Sequence, residues 1–281
     1  MLKLIHFFIS INMLPYKLRD WIAQAHLHWD WLSINTKAIH LLEANLHLID
    51  WNLLSENPNA IHLLEQHMDR INWSGLSANP NAIHLLEAYP DKIQWNRLVE
   101  NSNAYHLIKC NLDKLQRSQN IAANTNPKVL QLIEESLSYK HWWHLSRNPA
   151  AISLIKKYPD KVQLRGLSAN PATVHLLDHD DIDWSLISAN PSAIHLLESN
   201  IDMIDWDELS INPEAIHLLE ANQHLIDWLR LSQNPNIFEL DYKQMYNNRQ
   251  ELHRELIEML WSPARIQKHL DDGLDLDEYL P

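Results

Sequence analysis

Trp51-Asn52-Leu53-Leu54-Ser55-Glu56-Asn57-Pro58-Asn59-Ala60-Ile61-His62-Leu63-Leu64-Glu65 is one copy of a pattern that runs, with decay, from about residue 29 to residue 240. Trp29, Trp51, Trp73 and Trp95 are spaced by 22 residues. The register returns at Trp142, Leu164, Trp184, Trp206 and Trp228, in steps of 22, 20, 22 and 22. One degenerate copy fits between, with Asn120 in the tryptophan slot and Asn126-Pro127-Lys128-Val129-Leu130-Gln131-Leu132-Ile133-Glu134 as its second half. That makes ten copies. A fixed period near 20 residues implies a stacked array, because one such unit cannot bury its own apolar face.

Each unit reads as two short helices. Asn57 is a good N-cap and Pro58 suits the first helical position, where its missing N–H costs nothing. Asn-Pro returns at Asn79-Pro80, Asn148-Pro149, Asn170-Pro171, Asn190-Pro191, Asn212-Pro213 and Asn234-Pro235, and each pair marks a boundary. At 100° per residue Ala60, Ile61, Leu63 and Leu64 share one broad side, while His62 points away from it. Asp50, Asp183, Asp205 and Asp227 precede tryptophan, where a carboxylate caps a helix start. One to two helical turns over Asp50 to Ser55 follow, then a corner at Ser55-Glu56-Asn57. The expectation is an all-α fold, an α-solenoid of about ten two-helix repeats with N- and C-terminal helical caps. A leucine-rich-repeat horseshoe shares the period, but Ile-Asp-Trp is too brief to alternate as a strand.

The domain limits follow. Residues 1–28 form an N-terminal extension and a half-repeat cap around Leu18-Arg19-Asp20-Trp21-Ile22. Residues 29–240 form the array. Residues 241–281 form a helical C-terminal cap, with Asp241 starting a helix to about Trp261, Ser262-Pro263 starting another, and an acidic tail. The array is irregular at 99–126, where Val99 replaces the serine, Ser102 the proline and Lys109 the glutamate, so a weak joint is expected there.

Composition narrows the function classes. Three glycines disfavour turn-rich β folds and phosphate-cradling loops. A formal charge of -13 repels nucleic acid and acidic membrane surfaces. Lys156, Lys157, Lys161 and Arg165 read as a solvated basic face. Cys110 is the only cysteine, which excludes an internal disulfide and suits a reducing compartment. No apolar run reaches spanning length, and Met1 to Leu14 lacks the marks of a secretory signal. Met13 is an alternative start.

The unit Leu76-Ser77-Ala78-Asn79-Pro80-Asn81-Ala82-Ile83-His84-Leu85-Leu86-Glu87 resembles the repeat of large uncharacterised families encoded by giant DNA viruses of the mimivirus type. Leu18-Arg19-Asp20-Trp21-Ile22, Asn234-Pro235-Asn236-Ile237-Phe238-Glu239 and Ser262-Pro263-Ala264-Arg265-Ile266 resemble them too. The resemblance covers roughly residues 14 to 275. It implies a viral protein in infected-cell cytoplasm, possible in the virion, and brings no catalytic residues.

The candidate partner-binding surface comprises the histidine row and variable framework-free positions. The row is His40, His62, His84, His106, His175, His195 and His217, with Gln131 and Ser153 in two copies. Neighbouring helices about 8–10 Å apart do not converge ligands at the roughly 2 Å a metal needs, so a structural ladder is favoured over a metal site. His62 and Glu65 lie one turn apart and suit a weak surface contact; a protonatable row would make binding pH-dependent. The variable positions are Asn52, Leu53, Gly75, Arg97, His144, Glu208 and Arg230. The tryptophan row reads as core rather than a base-stacking platform. Ser55, Ser77, Ser168, Ser188 and Ser210 read as corner hydrogen-bonders, not nucleophiles. No nucleotide, kinase, zinc-protease or hydrolase motif occurs. The expectation is a non-enzymatic scaffold for protein partners, without cofactor, metal or membrane. The alternatives are a virion structural component and a single-stranded RNA binder reading one base per unit.

Overall fold

The computed structural model describes residues 15–115 and 119–260, with Ser262, Gln267 and Asp271. The array is an α-solenoid, and each regular unit contains more than two helices. In the unit that begins at Trp51, a first helix (Trp51–Glu56) leads through a single 3-10 turn (Pro58–Ala60) into a second helix (Ile61–Gln66). A further 3-10 turn (Met68–Arg70) then occupies the variable stretch. Asp50 caps the first helix by accepting from the backbone N–H groups of Asn52 and Leu53. Asn57 accepts from Asn59 N–H and starts the proline turn. Leu54, Leu64, Leu76 and Leu86 are fully buried, so the leucine rows form the core. Helices this short are not stable alone in water; stacking of their apolar faces holds them.

Two buried polar rows tie unit to unit. Asn57 Nδ2 donates to the carbonyls of Ser33 and Asn35 in the preceding unit, at 3.0 and 3.1 Å. Asn79, Asn101, Asn148, Asn170, Asn212 and Asn234 repeat this pair of bonds, and Asn190 keeps the bond to Ser168. The second row is serine. Ser55 Oγ donates to Trp51 O at 2.7 Å and accepts from Asn72 N–H of the next unit at 3.0 Å. The serine thus does more than close a corner: it joins two first helices.

The asparagine row has no free end. Asn35, in the first unit, donates to Ser232 O and Asn234 O of the last, at 3.0 and 2.9 Å. His28 N–H reaches Ser232 Oγ at 2.9 Å, Arg19 Nε donates to Asn236 O and Lys37 Nζ to Asn236 Oδ1. The bonds of Asn35 and His28 are those of an ordinary joint, made between the two ends of the array; those of Arg19 and Lys37 are particular to the closure. The compact unit Leu18–Phe238 is therefore a closed circle of repeats, whose end units cover each other instead of relying on separate caps. The half-repeat expected at 15–28 is a short strand β1 (Tyr16–Leu18) and a 3-10 turn (Gln24–His26).

The first helices form the inner side of this circle. At most joints those of successive units pack directly against one another, whereas second helices, apart from Tyr105–Cys110 and Pro127–Ile133, approach each other less closely. Arg97 Nη2 even reaches Glu56 Oε1, two units back, at 2.8 Å. Only on a concave face do side chains two units apart meet.

The degenerate copy shows a different register from the one expected. Asn124, not Asn126, takes the ladder position: it donates to Val99 O and Asn101 O, and its own carbonyl accepts from Asn148. Asn126 caps the second helix (Pro127–Ile133) and donates to Ser102 O. Asn124 keeps all three bonds of the row, accepting from Asn126 N–H as Asn57 does from Asn59 N–H, and Asn126 adds the cap of the following helix.

The remaining described segments, 15–17 and 239–260, belong to a second compact unit. Strand β1 pairs with β2 (Phe238–Leu240), and Asp241 N–H donates to Pro15 O at 2.9 Å. Lys17 and Glu239 form an ion pair at 3.1 Å. The helix expected from Asp241 is present as Tyr242–Leu260, with Asp241 accepting from Gln244 N–H. The second C-terminal helix, the acidic tail and the segment 1–14 lie outside the described residues, apart from the three isolated positions above.

Candidate interaction surfaces

The histidine row lies on the second helices and bridges units. His62 Nε2 meets Glu43 Oε1 at 2.6 Å, His84 meets Glu65 at 2.8 Å, His106 meets Glu87 at 2.7 Å and His217 meets Glu198 at 2.8 Å. The partner is the glutamate of the preceding unit, not the one a turn further along the same helix, so the His62–Glu65 contact gives way to a contact across the joint. At this exposure such pairs are worth about 0.2–1 kcal/mol each. His40 has no glutamate before it and packs edge-on against Phe238, ring centroids 5.5 Å apart; partial desolvation pulls its pKa below the ordinary histidine value. His175 and His195 line a cleft in the seventh and eighth units. Among the described residues no group of three or more metal-ligating side chains converges.

The variable positions gather on the inner wall, where they bond to one another. Arg97 holds Glu56 at 2.8 Å and Glu100 at 2.6 Å, and Asn120 donates to Glu100. Arg230 holds Glu208 at 2.7 Å and lies 3.7 Å from Asp227. Gly75 keeps the Arg97–Glu56 path open: a Cβ there would come within 2.9 Å of Glu56 Cγ and 3.1 Å of Asn52 O. Asn52 is exposed and Leu53 half-buried. His144 is half-buried, and its pKa is lowered by desolvation first, then by Arg147 and His141, against a pull from Glu100. Beside it Trp143 stands 39% exposed, with the Arg147 guanidinium 5.4 Å from its ring centroid. Leu229, in the place equivalent to Trp143, is also exposed, and Leu164 stands exposed in the tryptophan slot of the seventh unit. Trp143 was not singled out in the sequence; its signal was a second tryptophan directly after the framework Trp142.

The framework tryptophans are less buried than a core row would be. Trp142 is buried, while Trp29, Trp51, Trp73, Trp95, Trp184, Trp206 and Trp228 are half-buried. Four of these rings are covered by the variable stretch: Trp51 by His67 and Arg70, Trp73 by Tyr89, Trp95 by Lys114, Trp142 by Tyr158 and Lys161. An indole at the end of a leucine layer has one flank open, and an amphipathic or cationic side chain closes it. Those lids leave no row of bare rings for stacking bases. No helix among the described residues is long and apolar enough to cross a membrane.

No protein-family model, curated protein or solved structure matches the chain.

Proposed function

We propose that the chain is a non-enzymatic interaction scaffold whose inner wall receives a segment of a protein partner. The observation that carries this is a division of labour among side chains. The repeated asparagines and serines are consumed in joining units, and the residues that differ from unit to unit along the first helices are left for the inward face. Trp143, with Arg147 against it, is the natural anchor, since tryptophan and arginine dominate binding hot spots. Ten first helices spaced by about 8–10 Å, less half a helix width of about 5–6 Å, enclose an opening of roughly 15–20 Å. An extended segment or a single helix, about 10–12 Å wide, fits such an opening.

In keeping with the resemblance to giant-virus repeat proteins, the proposed setting of this scaffold is infected-cell cytoplasm, with assembly into the virion as a second reading. Recognition of single-stranded RNA is disfavoured by the charge of -13 and by the covered indoles. The test is site-specific photocrosslinking. A photoreactive residue at Asn96 or Trp143, facing inward, is expected to give a discrete protein adduct in infected-cell extract, and one at Glu65 or Glu198 on the second helices is not. Adducts from the outer positions alone would overturn the reading.

A further inference from the structure

The seventh unit is shorter by two residues, the step from Asn170 to Asn190 being 20. Its second helix is reduced to one 3-10 turn (Val174–Leu176), after which Leu177 is extended. The consequence is visible one position at a time. Leu63, Leu85 and Leu154, which occupy the same place in regular units, are 4–7% exposed, whereas Leu176 is 51% exposed. The missing helical turn leaves a cleft of about 390 Å³ beside the second helix of the eighth unit, walled by Val174, Leu177, Ile182 and Leu196, with His175 and His195 on its lining.

These two histidines also lack the partner that the row supplies elsewhere. In four joints the Nε2 atom holds a glutamate carboxylate at 2.6–2.8 Å. In the register of those pairs His175 faces Lys156, a cation, and His195 faces Asp178, which sits past the truncated turn. Neither histidine forms an ion pair among the described residues. An apolar cleft thus opens beside two imidazoles: at the joint of His175 a cation, Lys156, stands where the fold otherwise puts a carboxylate, and at the joint of His195 the carboxylate of Asp178 forms no ion pair with the ring among the described residues.

We infer that this cleft binds a small aliphatic carboxylate, its chain among Val174, Leu177, Ile182 and Leu196 and its carboxylate at the imidazoles of His175 and His195. Either of two sources supplies this chemistry: a free short-chain acid, or the terminal carboxylate of a polypeptide ending in an aliphatic residue. The cleft lies on the second helices, so the inference stands apart from the inner-wall reading.

The test is imidazole-resolved NMR of the full chain, titrated with hexanoate, hexanol, N-acetyl-leucine and N-acetyl-leucinamide. Expected is a saturable shift of the His175 and His195 ring signals with the two acids, and at least a fivefold weaker response with the alcohol and the amide. Tighter binding of N-acetyl-leucine identifies a chain end, and tighter binding of hexanoate a free acid. The double variant His175→Gln, His195→Gln, at exposed positions, is expected to fold and to lose the preference for acids, read from the leucine and isoleucine methyl signals of the cleft. Unmoved rings, equal shifts with alcohol and acid, or an acid preference that survives in the double variant would each overturn the proposal.

Discussion

A single buried asparagine carries three bonds at every joint but that of Asn190, which has two. Asn79 donates to Ser55 O and Asn57 O and accepts from Asn81 N–H, in a place with no solvent. Removing its amide strands the Ser55 carbonyl and the Asn81 N–H, while Asn57 O keeps the Ala60 N–H, and leaving buried polar groups unpaired costs about 1–3 kcal/mol apiece. Asn79→Ala is therefore expected to lower stability by about 2–4 kcal/mol, measured by urea unfolding. Asn79→Asp is expected to cost more at neutral pH, because a carboxylate would face two carbonyl oxygens. That environment raises the carboxyl pKa in the folded state, so the folded form binds the proton more tightly and stability falls as pH rises. The deficit of the aspartate variant should shrink toward pH 4; a deficit independent of pH would count against the ladder. His40 and His144 work in the opposite sense. Both have folded pKa values lowered mainly by desolvation, so the unfolded chain binds more protons and stability is lost as pH drops through about 6.5. Replacing both by asparagine should flatten part of the stability profile between pH 7.5 and 5.5, and an unchanged slope would remove them as its source.

At the level of the unit, the helices were legible because caps and period agree: Asn-Pro, Asp before Trp, and leucines on one face all predict the same boundaries. The third element, the turn Met68–Arg70, was not legible, because its residues vary and its 3-10 geometry has no strong signature. The partner of each histidine was missed for a related reason. Spacing within a helix suggests Glu65 for His62, whereas the distance between units, which places Glu43 there, is set by packing. The expectation of a weak joint at 99–126 has a physical basis in the serine row. The serine bond between first helices is made by Ser33, Ser55, Ser77, Ser146, Ser168, Ser188, Ser210 and Ser232. Val99 and Ala122, in the matching places, have no hydroxyl to make it. Limited proteolysis is accordingly expected to cut the array first between residues 99 and 126, as located by mass spectrometry of early fragments. A first cut inside the array at the truncated seventh unit would show that helix length, not the serine bond, sets local strength.

Closure changes the energetics of the array as a whole, and it is the feature the sequence conceals. A repeat pattern specifies how each unit meets its neighbour but says nothing about curvature, which accumulates from small rotations between units. Ten equal steps that complete a turn look, in sequence, the same as ten that do not. In an open stack, stability is a sum of unit and nearest-neighbour terms, so the terminal units have one interface each and fray. Here Asn35 and Ser232 make at the ends the bonds that Asn79 and Ser55 make in the middle, and every unit has two neighbours. Native-state hydrogen exchange reads this directly. The amides of Leu32 and Leu231, in the first and last units, are expected to be as protected as that of Leu76. In the variant Asn35→Ala, which weakens only the closing joint, protection should fall from both ends inward while the middle units keep theirs. A gradient of protection already present in the unaltered protein, falling toward the first and last units, would mean that the circle is open in solution.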